Sequence, residues 1–142
     1  MKKFLNLPLL FLMLLFMYAC DNNDNPAEES SSMEFSSMHV VFNQNSESVK
    51  VNVNSDDWYI SEIRAGETVQ TLQRETQGSE YEITVDWLQV SRQGRTIDID
   101  IVKSNMTREA RTFEIVIRAF TGEETKITGE EKAPLEYGEE NE

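Results

Sequence analysis

The sequence is poor in the residues on which most catalytic and metal sites are built. It has one histidine, His39, and one cysteine, Cys20. That pair of counts excludes histidine-rich metal centres and Cys/His zinc spacings, and a lone cysteine excludes a disulfide within the chain. No glycine-rich phosphate loop, no G-x-S-x-G elbow and no run of helical period is present. Positive charge is also scarce: 13 Lys and Arg stand against 26 Asp and Glu, a formal charge of −13. A chain this acidic is repelled by phosphate backbones and anionic headgroups, so nucleic acid is not an expected partner. Nor is an enzyme, a cofactor or a metal expected. Asp56 and Asp57 share a turn but lack the spacing of a calcium loop. Asp98 and Asp100 fall on one face of one strand, the pattern of a solvated surface rather than of an acid–base pair.

What is present starts at the N-terminus. Lys2 and Lys3 precede an apolar run, FLNLPLLFLMLLFMYA, interrupted by Asn6 and Pro8. It is too short to cross a bilayer and has the form of a secretory signal peptide, residues 1–19. The stretch MYAC resembles a bacterial lipobox. The resemblance implies that Cys20 becomes the first mature residue and carries more than one acyl chain, as stable membrane anchoring requires. The alternative, a thiol lost inside the signal, does not account for the polar break directly after it. Residues 20–34 then read as a flexible acidic tether reaching about 20 Å as a coil. That acidic run also resembles surface-export signals of Bacteroidetes lipoproteins, which implies the outer membrane, with the cell surface favoured over the periplasmic face. Residues 131–142, ending in EYGEENE, read as a solvated acidic tail.

Between tether and tail, residues 35–130 form one domain of about 95 residues, enough to bury a single core. Period two dominates it. SVKVNVN, YEITVDW, TIDIDIV and TFEIVIRA each alternate apolar with polar side chains, the mark of strands with one buried and one wet face. Gly78, Gly94, Asn105 and Gly122 fall between the runs, where turns need them. The expectation is an all-β sandwich of seven to nine antiparallel strands, near 38–43, 47–54, 57–64, 67–74, 80–91, 95–102, 111–120 and 124–129, with 80–91 open to division.

NSDDWYI, followed by DWLQVSRQGRTIDIDIVKSNMTREARTFEIVIRA, resembles the BACON domain of Bacteroidetes over residues 38 to 129. Trp58, Trp87, Leu88, Val90, Ser91, Gly94, Asn105, Thr107, Arg111 and Ile115 stand at matching positions. Two features depart from the pattern: an additional hairpin over 67–86, and Gly129 where the last strand usually ends in glutamine. The resemblance implies an immunoglobulin-like sandwich on an exported protein and an accessory carbohydrate-binding role. The alternative is a structural or protein-interaction module within a surface complex.

Sugar recognition needs an aromatic platform beside polar groups. Trp58 shares its strand face with Ile60 and reads as core, so Tyr59 points outward. Trp87 faces away from Leu88 and Val90, which favours exposure. It also continues the face of Tyr81, Ile83 and Val85, which favours burial beside a bulge. Tyr59 and Trp87 are the candidate ligand contacts. Arg92 with Arg95, and Arg108 with Arg111, flank hairpins at opposite ends and cannot merge into one basic patch, so a neutral glycan is the expected ligand.

Overall fold

A computed structural model describes residues 32–43 and 47–134; the signal, Cys20 and most of the tether and tail lie outside them. Among the described residues there are nine strands: β1 (His39–Phe42), β2 (Ser48–Asn52), β3 (Trp58–Ala65), β4 (Thr68–Thr71), β5 (Glu80–Val85), β6 (Leu88–Gln93), β7 (Thr96–Ile101), β8 (Arg111–Ala119) and β9 (Glu124–Glu131). A 3-10 turn, Arg74–Thr76, follows β4. The strands form two sheets, ordered β1-β9-β8-β3-β4 and β2-β7-β6-β5. All pairings are antiparallel except β1 with β9. The orders β9-β8-β3 and β2-β7-β6 are the G-F-C and B-E-D triplets of an immunoglobulin sandwich. The chain enters by pairing Phe35 with Val53, then crosses to the other sheet to lie along β9.

The alternating runs account for the core. Val51, Ile60, Leu88, Val90, Ile97, Ile99, Ile115, Ile117 and Ile127 are fully buried between the sheets. In β3 the alternation changes phase. Trp58 and Ile60 point inward, then a bulge at Ser61 lets Ile63 and Ala65 point inward too. Gly129 is also explained: a Cβ there would lie 2.2 Å from Cζ of Phe113, its partner across β8 and β9, and 2.6 Å from the Val40 carbonyl. The Phe113 ring fills the space a side chain would need.

Two expectations require correction. The 67–86 segment is not a hairpin: β4 pairs with β3, whereas β5 pairs with β6 in the other sheet, so the chain crosses between sheets. The tail begins later than residue 131, because Glu131 still belongs to β9 and the Lys132 amide donates to Phe42 O at 3.0 Å. The division left open for 80–91 falls at a two-residue turn, Asp86–Trp87, where Asp86 takes φ 53°. Aspartate tolerates this left-handed geometry better than most residues. Asp98 is also less wet than its alternation implies, at 8% exposure. Lys50 Nζ lies 3.1 Å from its Oδ1, off the direction of a hydrogen bond, so ionic attraction covers a carboxylate oxygen that has no directed bond.

Two tryptophan–arginine stacks tie the sheets together at opposite ends. Arg92, on β6, is 5% exposed and lays its guanidinium over Trp58 of β3, 4.1 Å from the ring centre. It donates to Trp58 O, to Asp56 O at 2.7 Å and to Gly94 O at 3.1 Å. Burial lowers its pKa, opposed by the charges of Asp56 and Asp57. At the other end Arg111, on β8, lies 4.2 Å from the ring centre of Trp87. It also pairs with Glu131 and donates to Lys103 O.

Arg92→Ala is expected to lower the unfolding free energy by about 3 kcal/mol, since it removes a packed side chain and strips buried carbonyls of their donor. Chemical denaturation reads this directly, with Lys103→Ala, whose ion pair with Asp86 is exposed on both sides, as a control costing about 1 kcal/mol or less. Gly129→Ala should cost about 1–3 kcal/mol by overpacking against Phe113.

Candidate functional site

The outer face of the five-stranded sheet carries a groove of about 660 Å³, within the size range of small-molecule sites. Its floor comes from outward-facing residues of β3, β8 and β9, and its wall from residues 71–75. The wall stands where it does because of the β3 bulge. Leu72 N donates to Ser61 O at 2.9 Å. The Gln77 side chain then acts as a short strand: Oε1 accepts the Ile60 amide at 2.9 Å and Nε2 donates to Ile60 O at 2.6 Å.

Tyr59 lies half-buried at one end of the groove, opposite Arg118 in the β3–β8 register. Phe120, 44% exposed, backs it at 6.3 Å between ring centres with a 33° tilt. Arg74 lies over Phe120, 3.7 Å from its centroid. Along the floor the charges are paired: Arg118 with Glu124 at 2.7 Å, Lys126 with Glu114 at 3.1 Å, and Arg64 with Glu62 at 3.0 Å. Such exposed pairs add little to stability, but they set the groove's polarity. The hydrogen bonds Arg118 donates to Glu124, then the Glu124 charge and the Tyr59 hydroxyl, raise the pKa of Arg118. Four cations (Arg64, Arg74, Arg118, Lys126) meet four carboxylates (Glu62, Glu75, Glu114, Glu124), so the groove is neutral on a strongly acidic chain.

The other candidate contact is not available. Trp87 is 3% exposed, sits in the β5–β6 turn rather than on a strand, and is covered by Arg111 and packed edge-on against Phe113 at 6.2 Å. A turn residue escapes the face assignment that alternation implies, so its outward reading is corrected. Cys20 lies outside the described residues. His39 is exposed, with Nδ1 3.0 Å from Thr128 Oγ1, and Asp56 is held by Arg95 at 2.9 Å. Among the described residues no cluster of three or more His, Cys, Asp or Glu could hold a metal. Phe120 and Arg74 were missed by sequence reasoning. Phe120 has a signal, since it continues the outward face of Glu114, Val116 and Arg118; Arg74 has none, because it lies beyond β4 in the 3-10 turn, where alternation does not apply.

The sheet order and paired faces define an immunoglobulin-like β-sandwich with a neutral surface groove on its five-stranded sheet. No family model and no curated protein matches the chain. Among solved structures it is similar to a Bacteroides ovatus GH5 xyloglucanase in complex with a XXXG heptasaccharide, at 12% identity and TM-score 0.47 over 77% of this chain and 20% of that one. It is also similar to the periplasmic chaperone SfaE, at 15% and 0.44 over 75% and 59%. A third likeness is to the E. coli chaperone DraB, at 12% and 0.40 over 75% and 57%. The chain spans less than two thirds of each of these structures.

Gln77→Ala is expected to free the groove wall. Hydrogen exchange at the Ile60 amide should accelerate, and stability should fall by about 1–3 kcal/mol as both Ile60 backbone groups lose their partner.

Proposed function

We propose that this chain is an accessory binding lipoprotein of the bacterial outer membrane, BACON-like in type, which takes glycans in the groove of its five-stranded sheet. The membrane attachment is the lipidated Cys20, and the cell surface is the favoured side. The observation that carries the reading is the groove itself. Tyr59 offers a ring for the apolar face of a pyranose, and paired Arg, Lys and Glu side chains offer donors and acceptors for its hydroxyl rim. Charge pairing keeps that surface from repelling an uncharged polymer or from attracting polyanions at long range.

A second reading, docking to a protein partner in a surface complex, is favoured by one feature. The edge strand β4, TVQT, is exposed throughout, carries no charge, and leaves Val69 at 47% exposure. Natural edges are usually blunted by charge, so this one is open to strand addition.

The deciding experiment screens the full-length chain, with Tyr59→Ala and Val69→Lys in parallel, against a broad glycan panel. Under the first reading Tyr59→Ala weakens glycan binding about tenfold or more while remaining folded, and Val69→Lys leaves it unchanged. Trp87→Ala should instead unfold or destabilise the domain by about 3–5 kcal/mol. Absence of binding across the panel would reject the glycan reading in favour of the edge. Protease shaving of intact cells tests surface display.

A further inference from the structure

Three of the four cations in the groove are already neutralised by a carboxylate at 2.7 to 3.1 Å: Arg118, Arg64 and Lys126. Arg74 is different. Among the described residues no carboxylate lies within ion-pair distance of it, and Glu75, its neighbour in the chain, lines the same wall without pairing to it. Yet its guanidinium is not loose. Its carbon lies over the Phe120 ring, 3.7 Å from the centroid. The turn that carries it is held by Thr76 Oγ1 donating to Gln73 O at 2.8 Å and by Gln77 on Ile60. A guanidinium stacked on an aromatic ring keeps its in-plane N–H donors free, and that fork matches a carboxylate.

We infer that Arg74 is a carboxylate receptor at the aromatic end of the groove, so that the preferred ligand is a glycan neutral along most of its length and carrying one acidic sugar beside the ring that rests on Tyr59. The inference rests on the reading of the groove as a glycan site, and it refines the expectation of a wholly neutral ligand. Discrimination comes from directed hydrogen bonds at one residue rather than from net charge, which Glu75 brings to zero in the groove. Polymers with an acid on every residue are still disfavoured, because the chain as a whole carries −13.

The test uses the full-length chain and an array of neutral oligosaccharides, each printed beside its derivative bearing a single uronic acid. The wild-type chain should bind a uronylated member about tenfold more tightly than its neutral partner, as a charge-assisted bidentate contact implies. Arg74→Ala should make the two members of each pair bind alike, Arg74→Lys should restore only part of the preference, and high salt should narrow it. Tyr59→Ala should weaken both members of the pair. Equal binding of both members by the wild type, or a preference that survives Arg74→Ala, overturns the inference and leaves the glycan site standing. No binding of any member overturns both.

Discussion

The burial of Arg92 against Trp58 is the constraint around which the two sheets are organised. A guanidinium cannot shed its charge inside a protein, so it must be surrounded by acceptors before it can be covered. The carbonyls of Asp56, Trp58 and Gly94 supply them, and all three lie where the chain enters β3 or leaves β6. The same side chain therefore fixes the start of an inner strand of one sheet, the turn of the other sheet, and the indole between them. Arg111 and Trp87 repeat the device at the far end with the roles of the sheets exchanged, the arginine now on the five-stranded sheet and the tryptophan on the four-stranded one. Without disulfides, these two crossed braces close the ends that alternating strands leave open.

The groove follows from that anchoring. With Trp58 held inward, Tyr59 must face out. The bulge two residues later shifts β3 out of phase and leaves backbone groups of Ile60 facing the edge. Gln77 satisfies them, and in doing so draws the segment after β4 up beside the sheet as a wall. One phase change in one strand thus produces both a continuous core and a concave outer face.

The two outer faces differ in charge. On the four-stranded sheet Glu80, Glu82, Asp98 and Asp100 outnumber Lys50, whereas the groove on the five-stranded sheet is balanced. An acidic chain that concentrates its opposite charges on one face has a surface able to approach a carbohydrate without self-imposed repulsion, and this asymmetry underlies the proposed role.

Alternation by itself determined the fold class, most of the strands and the inward or outward sense of Trp58 and Tyr59, because a period of two leaves each side chain only two directions. Arg92 was legible only as a basic residue beside a hairpin; it lies on the buried face with Leu88 and Val90, which an arginine can occupy only where carbonyl partners await it. Turns and crossings are where the pattern ran out. Trp87 obeys no alternation because it is a turn residue, and the 67–86 segment joins two sheets because of hydrogen bonds to a bulge that no local pattern announces. The pairing of Arg74 with Phe120, separated by 46 positions in the chain, likewise arises only when β8 lies beside β3. Local sequence specifies which way a side chain points within its strand; which distant side chain it then meets is decided by the register and stacking of the sheets.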